Sequence, residues 1–274
     1  MLKYRHMSQV DIVCKPTADT FVRFGVVMAA LFGFAVYFFY DAAVGYREKN
    51  EVIYSYQAFA ALGQKVMECT PEQWADVVRN KPLIPAEQQE GGLVVVAGEE
   101  KYPLPENCAA AISCPPEVQD YAAMSRGWAD CWAEYSKRMH FPIKPGEHPY
   151  NDGSIREQWV MGGLFIVLGL VLLGFALRTR GRVLALQGDL VTAAGQQFRV
   201  ADIELIDLRQ WGPGFKGAAR LTVKGRKIKV DGMTYGGFSK EKGEPAEAFM
   251  KALLEQYKGE IIEYEVEEKS DSVG

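Results

Sequence analysis

Histidine is scarce in this chain, with only His6, His140 and His148 among 274 residues. That leaves little material for general acid–base work or for activating a nucleophile. His140, Glu147 and His148 lie close in sequence, but their spacing fits no zinc signature. A phosphate-cradling P-loop, a dinucleotide fingerprint, a serine elbow and a CxxC pair are missing as well. The glycines of TYGGF at 234–238 read as a turn or bulge. The expectation is therefore a protein that is not an enzyme, with no catalytic residue, no cofactor and no metal ligand.

Charge is absent from two long stretches. Residues 24–40 (FGVVMAALFGFAVYFFY) and 159–177 (WVMGGLFIVLGLVLLGFAL) contain no Asp, Glu, Lys or Arg. At about 1.5 Å per residue each would span roughly 26–28 Å, close to the hydrocarbon thickness of a bilayer. The second run has no polar face, which a helix on the surface of a soluble domain would need. Both read as transmembrane helices, the first as a retained anchor and not a cleaved leader. With no ionisable group inside either run, a single chain offers no polar pathway for transport. Gly25, Ala29, Gly162, Gly163, Gly169 and Gly174 permit close helix approach, within the chain or in a homo-oligomer.

What charge there is has a direction. Lys3, Arg5, Lys15 and Arg23 precede the first run, and Arg178, Arg180 and Arg182 follow the second. Residues 41–158 carry eleven Lys/Arg against eighteen Asp/Glu. Basic flanks resist translocation, so both termini are expected in the cytoplasm and the intervening segment outside, as in a bacterial inner-membrane protein. Tyr37, Tyr40 and Trp159 suit an interface.

Four of the five cysteines, Cys69, Cys108, Cys114 and Cys131, fall in the external segment, and an even number in an exported region suggests two disulfides. Four cysteines allow three pairings; Cys108 with Cys114 and Cys69 with Cys131 is preferred. The segment is mainly helical. Val52, Tyr56, Phe59 and Val66 repeat at helical spacing, TPEQ at 70–73 is a capping box, and a third helix is expected over about 117–139. Its stripe of Tyr121, Trp128, Trp132 and Tyr135 is either core packed on the helix near 50–68 or a partner surface. Residues 80–116 read as ordered loop with one short strand, LVVV, and SIRE at 154–157 reads as the cap of the second membrane helix.

Beyond Arg182 the period shortens to that of strands, with a hairpin turn at Lys224-Gly225 and a closing amphipathic helix in EPAEAFMKALLEQYK. The strand IELIDLRQW, the hairpin VKGRKIKVDG and the helix FMKALLEQY resemble the bacterial pleckstrin-homology-like domains over about residues 180–260. That resemblance implies a small bent β-barrel or sheet that docks proteins or lipid headgroups. The turn at Gln187, Gly188 and Asp189 lacks the basic cluster of the lipid-binding members, and the helix lacks the tryptophan of the eukaryotic ones.

The expected architecture is an α+β membrane protein. It has an N-terminal cytoplasmic arm (1–20), a first membrane helix (21–44) and an extracytoplasmic, mainly helical, disulfide-bonded cap (45–157). A second membrane helix (158–177), a cytoplasmic PH-like domain (178–263) and an acidic flexible tail (264–274) follow. Arg178, Arg180, Arg182, Lys224, Arg226, Lys227 and Lys229 are candidates for contact with anionic lipid or a partner. Sixteen Lys/Arg against fifteen Asp/Glu from residue 178 onward give no broad positive field for nucleic acid. The leading functional expectation is a non-enzymatic scaffold or accessory subunit that works with membrane lipids and another membrane or periplasmic protein. The alternative is a transmembrane sensor that binds a ligand or partner through its extracytoplasmic helical domain and relays it to the cytoplasmic domain.

Overall fold

The computed structural model describes residues 11–211, 217–236 and 245–263. In chain order these form β1 (Asp11–Cys14), α1 (Ala18–Tyr40), a π-helical turn (Asp41–Gly45), α2 (Tyr46–Lys65) and α3 (Pro71–Val78). Next come β2 (Glu87–Gln89), β3 (Gly92–Ala97), β4 (Glu100–Pro103), α4 (Ala109–Ile112), α5 (Pro116–Gln119), α6 (Tyr121–Met139) and α7 (Asp152–Arg180). The last third holds β5 (Leu184–Gln187), β6 (Leu190–Ala193), β7 (Gln196–Arg199), β8 (Ile203–Gln210), β9 (Ala218–Val223), β10 (Arg226–Asp231), α8 (Pro245–Gln256) and β11 (Glu260–Ile262). Lys3, Arg5, His6, the end of TYGGF and the acidic tail lie outside the described residues. The fold is thus mixed helix and sheet, divided into two compact units: residues 31–168, and residues 1–30 with 169–274.

Two helical stretches, Ala18–Glu68 and Asp152–Arg180, are long and apolar enough to cross a membrane. Only 6% and 17% of their most apolar windows are buried, so these side chains are not the core of a soluble domain. Where the two helices meet within residues 31–168 they run antiparallel. Phe34 and Phe38 each lie 5.5 Å from Phe165, and Phe39 lies 5.4 Å from Trp159. Gly162 makes room for Phe39, since a Cβ there would collide with that ring.

The helical unit is built on α2 and α6. Phe59 lies 5.6 Å from Trp132 and 5.0 Å from Tyr135, and Tyr56 contacts both Trp128 and Trp132 edge-on. Such aromatic pairs add to the stabilisation from burial alone. Gly63 permits the close approach, because any Cβ there would strike the Trp128 side chain. α3 opens with the Thr70/Gln73 capping box and buries Trp74, whose indole N–H donates to the Val118 carbonyl at 3.1 Å. The stripe on α6 packs on the core: Met124, Trp132 and Tyr135 are each 2% exposed or less, and Tyr121 and Trp128 are half-buried against it.

Three expectations for this unit are corrected. Residues 80–116 are not loop around one strand; they hold an antiparallel three-stranded sheet, β2-β3-β4. The cap of α7 is Asn151, whose side chain accepts from the Ser154 backbone N–H at 2.9 Å, so Ser154 lies inside the helix. The disulfide-bonded cap is absent, and Cys69, Cys108, Cys114 and Cys131 are free thiols. The helical turn of α4 stands between Cys108 and Cys114, and the two sulfurs face different partners. Cys114 donates to the Lys81 carbonyl at 3.3 Å, while burial and then the Glu51 carboxylate push the Cys108 thiol up to about 12. Cys131 is buried in the aromatic core, whereas Cys69 is only half-buried. These sulfurs behave as small apolar groups.

The other unit holds two four-stranded sheets, β1-β5-β6-β7 and β10-β9-β8-β11. The first is antiparallel throughout; in the second β11 runs parallel to β8. Leu186, Ile206, Leu221, Phe249 and Leu253 are fully buried, which places α8 on the inner face of the strands. Lys224 and Gly225 both have positive φ (48° and 72°), as a two-residue hairpin turn requires. Residues 11–14, expected as part of an arm, are an edge strand: Asp11 to Cys14 pair with Gln187 to Leu184. Thr17 and Thr20 then both donate to the Thr234 carbonyl, tying the start of α1 to the same unit.

Candidate functional site

A cavity of about 500 Å³ opens in the helical unit beside the π-helical turn. The turn comes just where the apolar run of α1 ends and Asp41 begins. In an uninterrupted α-helix, positions eight apart would be separated by about 80° around the axis. The wider turn absorbs that offset and puts Lys49 over Asp41, and π-turns of this kind are frequent at functional sites. The Lys49 ammonium donates to both Asp41 carboxylate oxygens, at 3.2 and 3.4 Å. Gly45 makes this possible, since a Cβ at that position would run into the carboxylate.

Two aromatic rings flank the ammonium. Lys49 Nζ lies 4.8 Å from the Tyr46 ring centroid and 5.8 Å from that of Tyr150, and the two rings stack at 3.9 Å. Burial pulls the Lys49 pKa down, but the hydrogen bond and charge of Asp41 outweigh it, and the net shift is upward. The Tyr46 hydroxyl is also raised, first by burial and then by the negative Asp41. At neutral pH the lysine is thus an ammonium and the tyrosine is neutral. Such a lysine is a poor nucleophile but a strong hydrogen-bond donor.

The opposite wall is the segment that follows α6. α6 ends at Met139 and is capped by His140, in the left-handed conformation (φ 58°, ψ 32°), and the chain turns back through Phe141, Pro142, Pro145 and Gly146. Two buried anchors hold this segment. Trp132 donates its indole N–H to the Ile143 carbonyl at 2.8 Å. Asn50, fully buried on α2, donates to the Pro103 and Tyr150 carbonyls at 2.9 and 2.8 Å and accepts the Tyr150 N–H at 2.7 Å. Val52 and Ile53 form an apolar floor. The cavity therefore offers an apolar floor and wall with a rim of Lys49, Glu48, His140 and Tyr150, which suits a small molecule with an apolar body and a polar end.

Of these groups only His140 is marked by the sequence as a candidate ligand; Asp41 lies directly after the first uncharged run. His140, Glu147 and His148 are all exposed. Among the described residues, no three His, Cys, Asp or Glu side chains gather as a metal site would require.

The seven basic candidates do not form one patch. Lys224, at the β9–β10 turn, approaches Asp202 at 3.7 Å, and Arg226 and Lys227 are exposed at the start of β10. Arg178 and Arg180 are exposed in the last turn of α7. Arg182 and Lys229 instead line one cavity in the sheet unit. Compared with known proteins, the chain matches no family model, no curated protein and no solved structure.

Proposed function

We propose that this chain is a non-enzymatic membrane protein that crosses a bilayer twice and binds a small molecule in its helical unit, acting as a transmembrane sensor. The observation that carries the reading is the cavity beside the π-helical turn. Its walls belong to the residues that follow α1 and precede α7, so a ligand there would bear directly on both apolar helices. The alternative of a scaffold calls for a broad exposed aromatic patch. The stripe that would have supplied one is buried at Trp132 and Tyr135 and half-buried at Tyr121 and Trp128, and the exposed Met67, Ile112 and Ile143 belong to separate segments.

The pairing of β1 with β5 supports a topology in which both flanks lie on one side, as two crossings require. Arg23, Arg178, Arg180 and Arg182 make that side the cytoplasm by the charge rule. The free thiols withdraw the argument from disulfides, so the outward placement of residues 45–157 rests on charge alone. In this reading the sheet unit is a PH-like module that docks a cytoplasmic partner and passes on the state of the cavity.

The test is to purify the full chain in lipid nanodiscs and release its bound small molecules for mass spectrometry. A compound enriched with the native protein should be lost when Ile53, on the cavity floor, is replaced by tryptophan. If nothing is enriched, or if I53W retains it, the sensor reading fails. Sidedness is checked separately: cysteines placed at Glu99 and at Lys227, both exposed, should react with an impermeant maleimide from opposite faces.

A further inference from the structure

We propose that the sheet unit carries a binding site for one anionic phospholipid of the surrounding bilayer, with the lipid phosphate held by Arg182 and Lys229. The proposal rests on the membrane-spanning reading above but is independent of the small-molecule cavity. Two adjoining cavities, of about 380 and 340 Å³, share Phe24, Leu172, Asp231 and Thr234.

Their walls are graded in composition. Along α7, Leu172, Phe175 and Thr179 are spaced at three and four residues and lie on one helix face, and Arg182 follows just past the helix end. Along α1, Val27, Phe24, Arg23 and Thr20 repeat the order from apolar to polar in the opposite chain direction. Both helices therefore present hydrocarbon at one level and hydroxyl and cationic groups at the next, which is the order of acyl chain, glycerol and phosphate in a lipid. Phe24, Val27, Leu172 and Phe175 belong to the two uncharged runs, and Phe175 is 59% exposed, so the apolar wall is open to an acyl chain.

The charge at the polar level is one-sided. Arg23, Arg182 and Lys229 face a single carboxylate, Asp231, which lies 3.5 Å from Lys229. Among the described residues no carboxylate comes within ion-pair distance of Arg182, although its backbone is fixed by an N–H bond to the Thr179 carbonyl at 3.0 Å. A guanidinium on a fixed backbone and without a carboxylate partner is suited to two-point contact with phosphate, and Lys229, 3.5 Å from Asp231, adds a second cation. Thr179 and Tyr235 supply hydroxyls beside it. Of the seven basic residues the sequence offers, the site selects two and sets aside the hairpin tip.

The full chain in detergent, titrated with dioleoylphosphatidylglycerol and read by native mass spectrometry, tests this. One lipid should bind in preference to dioleoylphosphatidylcholine. R182Q and K229Q should each weaken binding about fivefold, which is roughly 1 kcal/mol per charge, and the double variant about 25-fold. R226Q/K227Q should bind as the native chain does, and circular dichroism should be the same for all. Equal binding of the neutral lipid, an unaffected double variant, or an equal loss in R226Q/K227Q would each overturn the site. Glycerol phosphate serves as the soluble arm: if it binds as tightly as the lipid, the occupant is a free phosphate and the bilayer source is wrong. Should the chain prove monodisperse without detergent, the membrane reading fails. The site would then be judged by the same variants with dihexanoylphosphatidylglycerol.

Discussion

Replacing Asn50 by leucine should cost the helical unit on the order of 3–9 kcal/mol, because three backbone groups that meet this fully buried side chain lose their partners at about 1–3 kcal/mol each. The carbonyls of Pro103 and Tyr150 and the N–H of Tyr150 all turn to this one side chain. Leucine has similar bulk but offers neither donor nor acceptor, so the buried Pro103 carbonyl and the half-buried Tyr150 groups are left without their partner. Domains of this kind are stable by about 5–15 kcal/mol, so the loss is a large share of the whole. The buried Cys108 thiol reports unfolding without an added probe. Its reaction with maleimide should begin at a markedly lower denaturant concentration in N50L than in the native chain. A shift worth less than about 1 kcal/mol would mean that the segment before α7 is held by something other than Asn50.

Trp132→Ala should cost about 3–5 kcal/mol, the range for removing a large buried aromatic side chain. The ring is 2% exposed and lies against Tyr56, Phe59 and Tyr135. Its N–H also holds the Ile143 carbonyl, so the variant both opens a hole and releases the cavity wall. Trp132→Phe separates the two effects. It keeps much of the packing and drops the hydrogen bond, and should recover most of the stability while leaving residues 141–146 more open to proteolysis. If W132F is as unstable as W132A, the tether to Ile143 and not the packing carries the energy.

The parts of the fold that were legible in the sequence are those fixed by local periodicity. The uncharged runs, the α6 stripe and the turn at Lys224-Gly225 each announce themselves within about twenty residues. Strands that need a distant partner do not. Glu87–Gln89 and Glu100–Pro103 have too few apolar positions to show alternation and exist because β3 lies between them. Asp11–Cys14 becomes a strand only through Leu184–Gln187, at least 170 positions away. Counting cysteines misled for a related reason: an even number shows what pairing is permitted, whereas helix α4 and the neighbours of each sulfur decide it. The candidate site was hidden most deeply. Asp41 and Lys49 share a face only because one turn is wider than an α-helical one, and Asn50 joins three segments that the chain order keeps apart.

The union of β1 with β5 constrains the order of events during synthesis. Residues 11–14 leave the ribosome early, yet the strand that completes them emerges only after both apolar helices have been made. Until then a short edge with unpaired N–H and C=O groups waits on the nascent chain. Assembly of the sheet unit must therefore follow the synthesis of both apolar helices, and a stalled or truncated product ending before residue 184 would carry a helical unit with a complete core beside an N-terminal segment that has nothing to join.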